Sequence, residues 1–163
     1  MPNPGTLVSL QQLEQLPYLS AVVSEGLRIS TPAPSRVQRV SPDSSLIFRE
    51  WDIPPGTPVS MSALFMHENP RIFPEPHEFR PERWLQEKSE KRIGRYLVPF
   101  SKGTRACLGM NLALAEIYLT LAAVFREFDM ELYETTREDV DTAHDFFAAV
   151  PKLDSKGVRV LVK

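Results

Sequence analysis

Fifteen prolines in 163 residues, about twice average usage, are distributed very unevenly along this chain. Pro32 and Pro34, then Pro54, Pro55 and Pro58, then Pro70, Pro74, Pro76 and Pro81 punctuate its middle, whereas Leu108 to Phe128 contains none. Proline fixes φ and offers no N–H, so long helices are expected toward the two ends and turns with short strands between them. Trp51, Phe65, Phe73, Phe79 and Trp84 lie among the prolines. Aromatics of this kind need something to pack on, so the middle is expected to be an ordered, irregular meander.

Leu7 to Gln15 predicts a short helix, and Pro17 suits the first turn of a second one running to about Ile29. Leu19, Val22, Val23, Gly26 and Leu27 fall on one face of it, and Glu25 and Arg28 fall opposite, the pattern of a solvated ion pair. Leu46 to Phe48 and Val59 to Leu64 read as strands joined through the turn signal Asp52 to Gly56, and Phe128 to Leu132, Asp145 to Val150 and Val158 to Val162 as short terminal strands. Leu108 to Phe125 is apolar nearly all round, which predicts a buried helix. It is short for a bilayer, carries Glu116 centrally and runs into charged sequence, so no membrane span is expected.

Nineteen Lys and Arg against 21 Asp and Glu give a formal charge of −2, so no basic surplus suits a nucleic acid. The single cysteine, Cys107, excludes an intramolecular disulfide and a multi-cysteine zinc site, and His67, His77 and His144 have no ligand spacing. A metal held here would take most of its ligands from something other than protein. The start, MPNPGTLVSL, lacks the basic and apolar regions of a secretory signal, and the chain reads as soluble and intracellular.

The most informative stretch is Pro99-Phe-Ser-Lys-Gly-Thr-Arg-Ala-Cys-Leu-Gly109. Cys107 stands where a glycine-containing loop meets the first turn of the apolar helix, whose amide donors and positive dipole end favour a thiolate. Gly103 permits positive φ, and Gly109 removes a side chain just past the sulfur, where a flat group can approach. Arg105 is placed to pair with a carboxylate of the same ligand, and Phe100 to shield the sulfur. A lone cysteine is more often a small buried hydrophobe. Here, however, Phe100, Gly103, Arg105, Cys107 and Gly109 match the pattern F-x-x-G-x-R-x-C-x-G, and the stretch resembles the haem-ligating signature of the cytochrome P450 family. Glu25-Gly-Leu-Arg28 resembles that family's E-x-x-R, and Pro81-Glu-Arg-Trp84 its P-E-R-F/W, in the same order along the chain.

The resemblance runs from about Leu10 to Val162 and is strongest to fungal members. It implies a mainly α fold with small antiparallel β sheets: the carboxy-terminal part of a single cytochrome P450 domain over residues 1–163, comprising K helix, meander, cysteine loop, L helix and terminal β region. It implies a haem-thiolate monooxygenase in which Cys107 is the axial ligand of haem b iron and a lipophilic small molecule receives one oxygen atom from O2. Arg105 and Arg39 would contact haem propionates, Arg36 would lie nearer the substrate, and Glu25, Arg28 and Arg83 would form a buried structural network. Ala33, Pro34, Ser35, Phe146 and Phe147 would line the substrate pocket, and His67 would pack in the interior or sit beneath the haem edge. An external donor, an NADPH-dependent reductase, would supply electrons. Family members are several hundred residues long, so the chain is expected to be a truncated piece of a parent at the endoplasmic reticulum membrane that on its own is catalytically inactive and binds haem weakly or not at all.

Overall fold

The computed structural model describes residues 8–86 and 92–163. Leu7, the expected start of the first helix, lies outside them. Helix α1, Leu10–Glu14, opens with a capping box: the Ser9 hydroxyl accepts from the Gln12 N–H, and the Gln12 side chain accepts from the Ser9 N–H. Helix α2, Pro17–Ser30, has proline in its first turn and stops at Thr31, whose φ of 34° is left-handed, with Pro32 next.

Short strands follow: β1, Val37–Val40; β2, Leu46–Phe48; β3, Trp51–Ile53; and β4, Pro58–Met61. The pairings are antiparallel, β1 with β4 and β2 with β3. This corrects the expectation that the second strand joins the fourth through Asp52 to Gly56: the nearer Trp51–Ile53 closes a tight hairpin with β2, and β4 returns to β1 instead. The expected strand from Val59 to Leu64 also ends early. Ser62 caps helix α3, Ala63–His67, by accepting from the Leu64 N–H, and its hydroxyl donates to the Pro34 carbonyl.

Helix α4, Met110–Glu127, occupies the proline-free run. Strands β5, Met130–Leu132; β6, His144–Phe146; β7, Ala148–Val150; and β8, Val160–Val162 close the chain, with β5 against β8 and β6 against β7. The single strand expected from Asp145 to Val150 is thus a hairpin folded about Phe147, which has a φ of 72°. The fold is mainly α with small antiparallel β sheets.

Helix α2 organises two apolar clusters on opposite sides. Leu13, Val23 and Tyr118 join α1, α2 and α4, while Ala21 packs with Phe73, Trp84 and Ile93 of the meander. Of the five meander aromatics, Phe73 and Trp84 are buried, but Trp51, Phe65 and Phe79 are exposed. Helix α4 is likewise not the buried helix expected from its composition. Only Tyr118 of it is buried, because α1 and α2 cover one face; Leu112 and Phe125 remain 65% and 70% exposed. Among the described residues, no helix is long and apolar enough to cross a membrane.

Candidate functional site

Sandwiching α2 between two layers has an electrostatic consequence. Glu25 and Arg28 lie on its meander side, 0% and 1% exposed, contrary to the solvated pair that the helical wheel predicts. The Glu25 carboxylate accepts five hydrogen bonds of 2.9–3.0 Å: from Arg28 Nε and Nη2, the Arg80 backbone N–H, Arg83 Nε and Trp84 Nε1. Arg28 donates further to the carbonyls of His67 (3.0 Å) and Glu78 (3.3 Å), and Arg83 to that of Pro74 (3.0 Å). A carboxylate and two guanidinium groups thereby fix three segments of the meander to one helical turn. Burial alone would raise the Glu25 pKa, but the donors of Arg28, Arg80 and Trp84 and the Arg28 charge outweigh it and hold the carboxyl below its usual range.

His67 completes this interior. It is fully buried, and its Nε2 accepts from the Val98 N–H at 3.0 Å. The ring proton therefore belongs on Nδ1, 3.2 Å from the Thr31 hydroxyl, which itself donates to the Arg28 carbonyl at 3.0 Å. The ring edge meets Phe73. Burial first, and the Arg28 charge second, push the His67 pKa down to about 4. The unfolded chain, with a histidine near 6.5, binds this proton where the folded one does not, so stability falls as pH drops from 6.5 toward 4. The full effect of such a shift is about 3 kcal/mol. Chemical unfolding of the protein at successive pH values should show this decline, and His67→Gln should flatten it; parallel curves would contradict the assignment of the decline to His67.

The cysteine loop begins two residues after Val98 and is built on backbone turns. The Ser101 N–H donates to the Val98 carbonyl at 3.1 Å, and the Cys107 N–H to the Phe100 carbonyl at 2.9 Å. Ser101 and Gly103 have left-handed φ values of 61° and 78°. Glycine is the residue that takes this conformation without strain, which accounts for Gly103. Gly109 has a different reason: its φ of −83° suits any residue, and a Cβ built on it would have only the Cys107 Sγ within 4 Å, at 4.0 Å. Its bare backbone leaves open the space beside the sulfur. Residues 101–110 are all exposed, Cys107 among them, and Phe100 is half-buried.

Among the described residues, no group of three or more His, Cys, Asp or Glu is placed to hold a metal ion. One exposed thiol with cleared space beside it fits a metal whose other ligands come from a flat organic group. Arg105 ends the 3₁₀ turn Gly103–Arg105 and is exposed. Arg39, on β1, reaches the same loop, its Nη2 lying 3.4 Å from Ser101 Oγ and 3.5 Å from the Arg105 carbonyl.

The segments expected to line a substrate pocket also meet. The Ser35 hydroxyl donates to Asp145 Oδ1 at 2.6 Å, the Phe147 N–H donates to the same oxygen at 3.0 Å, and the Ala149 N–H donates to the Pro32 carbonyl at 3.1 Å. The β6–β7 hairpin is thus tied to Pro32–Ser35, with Phe146 and Phe147 exposed and Ala33 half-buried. An open cavity of about 610 Å³ lies nearby, lined by Pro34, Ser35, Arg36, Phe65, His144 and Asp145 among others.

Sequence reasoning missed the roles of Trp84, Thr31 and the Arg80 backbone in the buried network, and left His67 without a definite partner. Trp84 alone had an available signal: it follows Arg83 directly, and a buried indole N–H requires an acceptor.

Comparison with known proteins supplies the kinship of this architecture. A sequence model described as Cytochrome P450 matches residues 3–155. A Fusarium equiseti protein named tryptophan 6-hydroxylase fscE is 50% identical over 163 residues, covering 99% of this chain and 32% of its own length. The N-acetyltryptophan 6-hydroxylase ivoC of Emericella nidulans is 53% identical over 150 residues, covering 91% of the chain and 29% of its own length. Cytochrome P450 monooxygenase MO6277 of Ascocoryne sarcoides is 50% identical over 165 residues, covering 100% of the chain and 32% of its own length. The chain therefore spans about a third of these curated fungal relatives, with its buried Glu25–Arg28–Arg83 centre and its exposed cysteine loop inside the matched region, and it belongs to the cytochrome P450 family.

Proposed function

We propose that this chain is the thiolate-side wall of a haem-thiolate monooxygenase, in which Cys107 would hold the iron of a haem b. The observation that carries the reading is the exposed Cys107 sulfur beside the bare backbone of Gly109 at the entrance to α4. In this reading α2 is the K helix, residues 63–86 and 92–98 belong to the meander, α4 is the L helix and β5 to β8 are the terminal β region of one domain portion.

When bound, thiolate-ligated haem supplies activation of O2, one oxygen atom entering the substrate and the other leaving as water with two electrons and two protons. The Phe100 carbonyl holds the Cys107 N–H and so fixes the sulfur at the loop's mouth. Gly103 makes the turn and Gly109 leaves the approach clear, and Phe100 would shield the sulfur once haem is bound. Arg105, and Arg39 whose guanidinium lies 3.5 Å from the Arg105 carbonyl, would hold the two propionates. Electrons come from an NADPH-dependent reductase, for which exposed Lys102 of the cysteine loop offers a cationic contact.

The substrate is a lipophilic small molecule, lined on this side by Ala33, Pro34, Ser35, Phe146 and Phe147. Two relatives are named for hydroxylating tryptophan and N-acetyltryptophan, which makes these indoles the first compounds to test. We place the parent protein at the endoplasmic reticulum membrane, attached through sequence other than α4, which is not apolar enough to span.

A second reading, a chain that retains the family sequence but is catalytically inactive alone, is favoured by the exposed apolar face of α4 and the uncovered cysteine loop. One experiment addresses both readings. Reduced, carbon monoxide-treated samples of residues 1–163 and of a full-length parent are each titrated with haem. The parent is expected to give the long-wavelength absorption of a thiolate complex, and the isolated chain little or none. No thiolate signal from the parent would overturn the first reading; a stable one from residues 1–163 would overturn the second.

A further inference from the structure

A buried imidazole joins the Glu25 network to the cysteine loop. His67 Nε2 accepts from the Val98 N–H (3.0 Å), the Val98 carbonyl accepts from the Ser101 N–H (3.1 Å), and the Phe100 carbonyl between them accepts from the Cys107 N–H (2.9 Å). On its other side, Nδ1 faces Thr31, which bonds the last turn of α2, and the His67 carbonyl accepts from Arg28. Both ring nitrogens and the carbonyl of His67 are thereby committed, two of these atoms to the network and one to the strand of backbone that enters the loop.

We propose that His67 is a positioning residue for the Cys107 thiolate, transmitting the rigidity of the Glu25–Arg28 centre to the cysteine loop through its Nε2 bond to Val98. The proposal rests on the haem-thiolate reading above. An acceptor is required at this place because the Val98 N–H would otherwise be left without its partner at the root of the loop. The loop itself is exposed and held mainly by its own turns, so its root is where the interior can set its position.

Two substitutions separate this role from mere filling of space. A glutamine amide lies as many bonds from Cα as Nε2 does, so His67→Gln retains an acceptor for Val98. An asparagine amide reaches only as far as Nδ1, so His67→Asn retains a partner for Thr31 and loses Val98. Both variants are made in the full-length haem-loaded parent. The ratio of thiolate to non-thiolate forms is read from the reduced carbon monoxide spectrum, and folding from thermal unfolding.

The expected result is that His67→Asn lowers that ratio about tenfold while His67→Gln stays within about twofold of the unmutated protein. Equal ratios in the two variants, or loss of folded protein in both, would overturn the proposal by showing that His67 serves packing alone. An unmutated parent without the thiolate signal would overturn the haem-thiolate reading itself, and the two failures are therefore distinguishable.

Discussion

Glu25→Ala is expected to leave almost no folded protein. The substitution removes the carboxylate that Arg28, Arg83, the Arg80 N–H and the Trp84 indole share, and the fully buried Arg28 guanidinium stays behind without it. Removing one partner of a buried ion pair costs about 3–5 kcal/mol, a large share of the about 5–15 kcal/mol that stabilises a typical domain. Arg28→Ala should cost nearly as much, since it strips Glu25 of two donors and the His67 carbonyl of one. Arg83→Ala should cost less, because the Arg83 side chain is partly open to solvent. Arg28→Lys should not rescue, for a single ammonium cannot reproduce the bidentate fork together with the bonds to two carbonyls. By contrast, breaking the exposed Arg137–Asp141 pair should change stability by less than about 1 kcal/mol. Yield and denaturation midpoint of each variant in the full-length parent provide the check. Wild-type stability in Glu25→Ala would contradict the account of α2 as the centre of the fold.

Cys107→Ala should have the opposite signature: a folded protein without its chemistry. Cys107 is exposed, its side chain is absent from both apolar clusters, and its loop is closed by backbone bonds that alanine keeps. Stability of the polypeptide is therefore expected to change little, while the thiolate absorption disappears and hydroxylation falls by about a thousandfold or more. The pairing of these outcomes is informative. Loss of fold without loss of ligation, or retained thiolate ligation in this variant, would remove the basis of the proposed function.

The difference between the two predictions mirrors what was legible in the sequence. Helices α2 and α4 could be placed from Pro17 and from the proline-free run, since helix boundaries depend on near neighbours. The cysteine loop was legible because its constraints are also local: a turn at Gly103 and clear space at Gly109. Burial of Glu25 and Arg28 was not readable from a helical wheel, whose apolar stripe accounts for only one of the two covered faces of α2. The other cover, Arg83 and Trp84, lies more than fifty residues away along the chain. Strand pairing failed for a similar reason: β4 bonds to β1, beyond an intervening hairpin. Phe147 gave no turn signal because an aromatic residue with positive φ is rare, and the hairpin is held by Asp145 and Pro32 instead. The apolar character of α4 was read correctly but its burial was not, because burial depends on how many partners pack against it.

The most direct test of the central claim is the identity of the iron's protein ligand. X-ray absorption at the iron edge, applied to the haem-loaded full-length protein with and without Cys107→Ala, reads that ligand without reference to turnover. A sulfur scatterer is expected next to the iron of the unmutated protein and vanishes on substitution. A first shell of nitrogen and oxygen alone in the unmutated protein would contradict that claim.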